Sequence, residues 1–142
     1  MSFWKWVLGF FRPRPLPPHL RLGLRGELVA RQHLKKCGLK FLVANYRSPR
    51  GEIDMVFRDG DCLVFVEVKT RSSEDWARPA DAVNEEKRRR LSMAALDYLR
   101  RIGNPQIRVR FDIVEVVFEN SREPTIRHLP NAFSLTHPFR YG

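Results

Sequence analysis

The chain contains few of the residues that cross-link or coordinate a fold, since its 142 residues include two cysteines and four histidines. Cys37 and Cys62 cannot build a disulfide framework or a four-ligand zinc site, and the histidines show no metal-binding spacing. These shortages exclude a disulfide-rich secreted protein and a zinc finger. We therefore expect a fold that depends on its hydrophobic core, in a reducing cytoplasmic compartment.

Long apolar runs are also missing. Residues 1–11 are apolar but are followed at once by Arg12-Pro13, whereas a membrane span needs roughly 20 apolar residues. The run also lacks the charged start and small-residue cleavage site of a secretory signal. Two interpretations remain for this segment. We favour an extension that is floppy or packs on its own domain; the other is an interfacial anchor with its aromatic side chains at a lipid surface. Those side chains are Trp4, Trp6, Phe10 and Phe11.

Acidic residues are outnumbered. Asp and Glu total 16 against 26 Lys and Arg, so the net charge is +10 and the isoelectric point is near 10.4. No acid precedes Glu27, and the rest of the chain is still basic. This charge predicts a polyanionic partner, either nucleic acid or an anionic membrane. The hydrophobic share of 43% argues against a disordered chain, and the length suits one domain.

Prolines cluster near the start of the chain, where four of the ten fall within residues 12–19. Such clustering is typical of a linker. We therefore divide the chain into residues 1–19, an apolar segment with a proline-rich linker, and residues 20–142, a single domain. There is no internal repeat.

Hydrophobic spacing and turn residues predict the element order α-β-β-β-α-β. The predicted helices are residues 22–37, ending at Cys37-Gly38, and residues 83–102. The predicted strands are residues 39–46, 52–58, 61–70 and 106–118, with a short fifth at 125–129, and a polar loop covers 71–82. This order predicts an α/β fold in which helices flank a mixed sheet.

The second and third predicted strands form a hairpin that gathers acidic residues. If Asp59-Gly60 are its two turn residues, Asp54 faces Phe65 across the hairpin. Asp54 and Glu67 are then diagonal neighbours, roughly 7 Å apart at the backbone, and their carboxylates can converge on one ion. Strand alternation predicts that four side chains project from the same side of the sheet: Glu52, Asp54, Glu67 and Lys69.

Oxygen ligands of this kind suit Mg²⁺ or Mn²⁺ better than Zn²⁺. A metal-bound water can act as the attacking nucleophile, and Lys69 can orient that water or neutralise charge on a phosphate. The pattern thus predicts a phosphodiester-cleaving site. The alternative is a solvated strand end where Glu67 pairs with Lys69 or a nearby arginine. Glu27 likewise has a plain interpretation, as the exposed helical partner of Arg31.

Six short segments of the chain together form a distinctive combination. They are Gly26-Glu27, Asn45-Tyr46-Arg47, Gly51-Glu52-Ile53-Asp54, Val64 to Arg71, Lys87, and Arg110-Phe111-Asp112. The combination resembles the YraN-like (UPF0102) family of uncharacterised bacterial proteins over roughly residues 20–130. That family is similar to the PD-(D/E)xK nuclease superfamily and, within it, to archaeal Holliday-junction resolvases. The resemblance implies a restriction-endonuclease-like core and Mg²⁺-dependent cleavage of DNA.

The resemblance also implies roles for single residues. Asp54 matches the first metal-binding acid, Glu67 the second, and Lys69 the lysine of the superfamily motif. Glu27 matches the helix-borne acid that completes the site, often through water. The backbone carbonyl of Val68 is implied as a further metal ligand.

The chain departs from the superfamily pattern in three places, one of which is the apolar N-terminal run, because that run is not part of the family core. Ile53 stands where the superfamily name has proline, and Trp76-Ala77 replaces an expected aromatic-glycine pair. Glu52 has no assured role, so we treat it as an alternative ligand or as a group behind the ligands. None of these departures removes a residue of the implied catalytic set.

DNA contacts are expected beside the site, where arginines lie on loops and the second helix begins with a cationic run. The expected contacts are Arg47, Arg50, Arg71, Arg78 and Lys87, which suit phosphate rather than base recognition. Lys87 also has a plain interpretation as part of a solvated surface offset by Glu85 and Glu86. We leave Asp112 out of the site, as a surface partner of Arg110.

The leading hypothesis is a metal-dependent DNA endonuclease, a hydrolase acting on branched or Holliday-junction-like DNA. The first alternative is a non-catalytic nucleic-acid-binding module that retains the nuclease fold. The second is a membrane-surface adaptor that uses residues 1–11. A homodimer is left open, because a four-way junction presents paired strands for cutting.

Overall fold

The computed structural model describes residues 15–72, 83–119 and 123–135. In chain order the elements are α1 (Pro18–Lys36), β1 (Lys40–Ser48), β2 (Gly51–Asp59), β3 (Cys62–Arg71), α2 (Glu85–Arg101), β4 (Arg108–Val117) and β5 (Thr125–Phe133). The predicted order is confirmed, and the expected short fifth strand is a full one.

The five strands form one mixed sheet in the order β1-β2-β3-β4-β5. β3 and β4 are parallel, while the other neighbouring strands are antiparallel. A parallel pair needs a long crossover, and α2 lies in that crossover. α1 and α2 contribute to separate core clusters on the two faces of the sheet. The predicted α/β fold with helices flanking a mixed sheet is therefore confirmed.

Helix α1 begins at Pro18, earlier than predicted and inside the predicted linker. Proline is accepted in the first turn of a helix because the N–H that it lacks has no partner there. The helix ends at Lys36, and Gly38 follows with φ +93°. The predicted left-handed glycine at this helix end is confirmed.

The turn between β2 and β3 differs from the prediction by one position. Asp59 pairs with Cys62, so the two turn residues are Gly60 and Asp61, and Gly60 has φ +58°. The predicted register, in which Asp54 faces Phe65, is therefore wrong by two residues. Because side chains alternate with a period of two, this shift keeps Glu67, the acid of β3, on the expected face.

Strand β5 continues past the predicted end at residue 129 to Phe133. Pro130 and Asn131 look like a break in the sequence, and Asn131 does have φ +51°. However, β5 is an edge strand, where proline is tolerated because one side of the strand needs no partner. The pairing with β4 therefore resumes after an irregularity, and Phe133 pairs with Phe111.

Several sequence predictions fall outside the described residues. They concern the aromatic segment of residues 1–11, the pair Trp76-Ala77 and the expected DNA contact Arg78. Within the described ranges, neither helix combines the length and the apolarity that crossing a membrane requires.

Two glycines allow the helices to approach the same end of the sheet. A Cβ at Gly26 of α1 would lie 2.9 Å from both Cβ and Cγ2 of Thr70 on β3. A Cβ at Gly51 of β2 would lie 2.6 Å from the carbonyl oxygen of Arg90 on α2. Real Cβ atoms do not come so close, so only glycine permits these contacts. They bring α1 and α2 to the two sides of the region around Asp54.

We expect Gly26→Ala to lower the free energy of unfolding by about 1–3 kcal/mol, the usual cost of overpacking. Thr70 is β-branched and cannot move away, so the helix itself must shift. Gly23→Ala is the matched control in the same helix, because its Cβ meets nothing within 4 Å. That change should stabilise the protein by about 0.5–1 kcal/mol. Urea unfolding measures both; equal effects would contradict the close packing of α1 on β3.

Candidate active site

Strand β2 is irregular at Asp54. Ile53 and Met55 are two residues apart, yet they belong to core clusters on opposite faces of the sheet. In a regular strand they would share a face. On β1, the neighbours of Asn45 pair with Met55 and Ile53 of β2, so Asn45 lies across from Asp54. Its φ of +51° is in the left-handed region. The predicted regular alternation of β2 is therefore wrong at Asp54.

The irregularity turns the Asp54 side chain toward β3. The described backbone pairs of β2 and β3 run from Asp59–Cys62 to Met55–Val66. Next to this ladder, the Val68 N–H donates to Oδ2 of Asp54 at 2.8 Å. The carboxylate thus takes the place of a backbone acceptor, and the observed register sets Asp54 opposite Glu67.

Asp54 and Glu67 form the centre of the site. Their carboxyl groups are hydrogen-bonded to each other, and Glu67 is only 6% exposed. A hydrogen bond between two carboxyl groups requires a proton on one of them. The structure therefore brings together the two acids that the hairpin argument paired, and closer than the diagonal arrangement predicted.

Lys87 reaches the same pair from α2. Its Nζ lies 2.5 Å from Oε1 of Glu67. Asn84 caps the helix by accepting the backbone N–H of Lys87, so the cap fixes the residue whose side chain meets the acid. We expected Lys87 only as a DNA contact. The capping spacing was visible in the sequence, but the contact with Glu67 depends on how α2 packs on the sheet.

The environment raises the pKa of both acids. Burial is the largest cause for Glu67, followed by the nearby charge of Asp54, and its pKa rises to about 7 despite Lys87. Burial also raises the pKa of Asp54, although the Val68 N–H and the hydrogen bond with Glu67 oppose this. The hydrogen bond acts in opposite directions on the two groups, so Glu67 is the one that holds the shared proton.

Glu67→Gln tests this protonation through stability. The pKa of Glu67 is about 7 in the folded protein and near 4.5 when unfolded, so the folded state binds the proton more tightly. Wild-type stability from this group is present below the unfolded pKa and is lost as pH rises through 7. Between pH 5 and pH 8 the variant should gain about 2 kcal/mol relative to wild type. Urea unfolding at both pH values measures this; a constant difference would contradict it.

Glu27 and Glu52 stand at the margin of the pair. Burial raises the pKa of Glu27, and the charge of Asp54 is the next cause, which places the α1 acid near the site. Arg31 does lower that pKa, but its guanidinium stacks over the Phe41 ring at 4.3 Å. Glu52 is exposed and pairs with Arg47 at 2.9 Å.

The acids lie in a cleft of about 660 Å³ between the β1–β2 turn and α2. Arg47 and Arg50 line one wall and Lys87 and Arg90 line the other, while Asp54 and Glu67 lie between them. The described contacts already engage each of these cations with an acid. The cleft can therefore receive a phosphate only as some of these pairs exchange partners.

Arg71 and Lys69 lie outside the lining of this cleft. Arg71 forms an ion pair with Glu115 at 3.1 Å, and Glu115 is fully buried. Lys69 is the register partner of Glu115 on the adjacent strand. Arg71 thus offsets a buried charge, and it is the last residue of β3 rather than a loop residue as expected; its contact with DNA stays a prediction. The structure shows no contact of Lys69 with Glu67, so its implied role stays a prediction.

The donor set suits a hard divalent cation. In residues 15–72, 83–119 and 123–135, no three His, Cys, Asp or Glu side chains converge as a metal cluster. Mg²⁺ does not need such a cluster, since it binds one or two carboxylates and keeps several waters. Asp54 and Glu67 offer two carboxyl groups that stay close together because they share a proton, which a cation could replace. The residues present therefore fit Mg²⁺ or Mn²⁺, with Val68 supplying its carbonyl as the resemblance implies.

Asp112 is buried, which corrects its prediction as a surface partner of Arg110. It is 0% exposed and accepts hydrogen bonds from Arg110, the His128 ring and the Asn131 N–H. Burial alone would raise its pKa, but these hydrogen bonds outweigh burial and the pKa lies below its ordinary value. Asp112 thus links β4 to β5 and plays no part in the cleft.

The model of the uncharacterised protein family UPF0102 matches residues 26–116. The chain belongs to this family. A UPF0102 protein of Rhodococcus jostii is 41% identical over 115 residues, which cover 81% of this chain and 98% of the relative. One from Geobacter sulfurreducens is 40% identical over 116 residues, covering 82% and 91% of the two chains. One from Anaeromyxobacter dehalogenans is 42% identical over 112 residues, covering 79% and 83%.

The predicted family is therefore confirmed, and the UPF0102 match contains the whole candidate site. Glu27 lies at its beginning, and Asp54, Glu67, Lys69 and Lys87 lie within it. These relatives carry no named activity, so what this UPF0102 protein does must be argued from its own residues.

Proposed function

We propose that the protein is a metal-dependent endonuclease that hydrolyses DNA phosphodiester bonds. One observation carries the proposal: the buried carboxyl group of Glu67 and the half-buried one of Asp54 share a hydrogen bond in a cleft whose walls are lined by cations. Above pH 7 the ionised Glu67 is held in a buried place that disfavours its charge, because its pKa is about 7, so stability does not account for an acid at this position. Perturbed acids in a cleft are typical of a functional site.

A divalent cation in place of the shared proton would relieve the repulsion between the carboxylates. Asp54 and Glu67 would bind it directly, the Val68 carbonyl would add a ligand, and Glu27 would contribute through water. When bound, Mg²⁺ or Mn²⁺ supplies an activated water and neutralises charge on the phosphate.

The lysines would act on the phosphate. Lys87 already contacts the acids, since its Nζ lies 2.5 Å from Glu67. Its ammonium group can exchange this carboxylate for an incoming phosphate oxygen as its ion-pair partner. Lys69 lies on the same strand as Glu67, and we propose that it orients the attacking water or neutralises charge on the phosphate. The arginines Arg47 and Arg50 on the β1–β2 turn would hold the DNA backbone, which is why we propose structured or branched DNA rather than a base sequence as the substrate.

The test uses labelled branched, nicked and duplex DNA with the purified full chain in Mg²⁺, Mn²⁺ or EDTA. Cleavage is expected with either metal, preferentially of the branched substrate, and none with EDTA. Asp54→Ala and Glu67→Ala serve as controls for contaminating nucleases. Cleavage no greater than in these controls would overturn the proposal. Salt-dependent DNA binding that both variants retain would then favour the non-catalytic module.

A further inference from the structure

The first two turns of helix α1 contain no buried residue. From Pro18 to Arg25 every residue is exposed or half-buried, and the first buried residue is Gly26. Only from Gly26 onward does the helix contribute buried residues to the protein, through Ala30 and Leu34. The first two turns therefore add no buried residue to the core, although Arg25 ties them to the Phe118 ring.

A row of leucines, which we name the leucine ridge, follows this side of the chain: Leu16 lies just before the helix, Leu20 and Leu24 lie in its first two turns, and Leu28 follows in the next turn. The row has one leucine every four residues, the spacing that forms a continuous ridge along a helix. The exposed fractions are 44% for Leu16, 49% for Leu20, 47% for Leu24 and 55% for Leu28. Isolated exposed leucines need no explanation, but three in a row on one helix, continued by Leu16 just before it, form a contiguous apolar surface.

Beside the first two turns of α1, the charge along the leucine ridge is of one sign, and the acid Glu27 adjoins only Leu28 at the far end of the ridge. Arg21 and Arg25 lie in the same two turns, and no acid precedes Glu27 in the chain. Arg25 keeps its guanidinium over the Phe118 ring at 4.6 Å, so its charge is held against the body of the protein beside the ridge. Leucines flanked by arginines match the boundary of an anionic bilayer, where apolar chains lie beneath negative headgroups.

Other occupants fit this surface less well. A second copy docked through the same helix would bring Arg21 and Arg25 against their own counterparts with no acid in those turns to offset them. Nucleic acid would pair with the arginines but would leave the leucines in water. Only a partner that is both apolar and anionic satisfies both sets of residues.

We propose that the leucine ridge, with Arg21 and Arg25, docks the protein on the surface of an anionic lipid bilayer. The helix would lie in the interface without crossing it. No residue of α1 lines the cleft at Asp54 and Glu67, so docking leaves the cleft open. This interaction does not depend on the proposed nuclease activity.

Co-sedimentation of the full chain with vesicles tests the proposal. Wild type should bind vesicles of phosphatidylcholine mixed with phosphatidylglycerol, and bind pure phosphatidylcholine far less. Leu20→Ser with Leu24→Ser should reduce the affinity for anionic vesicles about tenfold, because both leucines lose apolar burial. Arg21→Gln with Arg25→Gln should reduce it to a similar extent and weaken the preference for anionic lipid.

The matched control is Leu42→Ser with Ile102→Ser, since these side chains are exposed to 46% and 45% but lie outside α1. This variant should bind vesicles like wild type. All variants should cleave DNA as wild type does, so loss of binding cannot be confused with failure of the proposed function. Circular dichroism confirms that each variant is folded.

Four results would overturn the proposal. They are no binding to anionic vesicles, equal binding to neutral and anionic vesicles, and binding that the ridge leucines do not affect, which would assign it to another segment such as residues 1–11. The fourth is a wild type that self-associates in sedimentation while the leucine variant is monomeric, which would identify the ridge as a contact between copies.

Discussion

Asp54→Asn is expected to reduce metal-dependent DNA cleavage at least about 100-fold, the scale on which removal of one essential charged or polar group acts. The amide oxygen of asparagine still accepts the Val68 N–H, which donates to Oδ2 in wild type. The fold around residue 54 should therefore survive. What the substitution removes is the negative charge that a divalent cation requires from this position.

Glu52→Gln is the matched control for this prediction. Glu52 lines the same cleft, but it is exposed and pairs with Arg47. Its cleavage rate should stay within a few fold of wild type. Initial rates on the branched substrate, measured over a range of Mn²⁺ concentrations, compare the variants. If both variants lost activity equally, the whole acidic cleft and not the Asp54–Glu67 pair would account for catalysis.

Asp112→Ala is expected to lower the free energy of unfolding by about 3–5 kcal/mol, the cost of breaking a buried charged network from one side. Asp112 is fully buried and accepts from Arg110 at 3.0 Å, from the His128 ring at 2.7 Å and from the Asn131 N–H at 2.9 Å. Alanine removes the shared acceptor of these three donors, of which Arg110 and His128 are only 21% and 17% exposed, so they lose a buried partner that water replaces only in part. Urea unfolding of wild type and variant measures the loss.

Asp59→Asn is the control that shows whether the loss comes from the buried carboxylate of Asp112 or from removing any acid that pairs with Arg110. Asp59 also accepts from Arg110, at 2.8 Å, but its side chain is 45% exposed. An exposed ion pair contributes little, so this change should cost less than about 1 kcal/mol. Comparable losses in the two variants would show that burial of Asp112 is not the source of its effect.

The secondary structure could be predicted because its signals are local. Gly38 ends α1, and alternating apolar residues mark β3 and β4, so neighbouring residues along the chain carry the information. The hairpin illustrates the limit of such signals. The turn predicted from Asp59-Gly60 is one position too early. The acid of β3 still lies on the expected face, because a register error of two residues leaves each side chain on the same side of the sheet.

The candidate site was predictable only in part. Asp54 and Glu67 could be paired from strand geometry, but their direct hydrogen bond depends on the irregularity of β2 at Asp54. No apolar pattern signals that irregularity. The strand pattern predicts Asp112 as a surface partner of Arg110, its neighbour on the same face, because it does not show that His128 on a different strand joins them to form a buried network.

By itself, the sequence determined the order of helices and strands, the basic charge and the family, since each depends on residue types and their spacing along the chain. Only the tertiary structure decided that Lys87 rather than Lys69 contacts Glu67, that Arg71 is committed to Glu115, and that the leucines of the ridge stay exposed. These outcomes depend on distances between elements far apart in the chain. Such distances follow from how side chains pack, as Gly26 against Thr70 shows, and no local pattern encodes them.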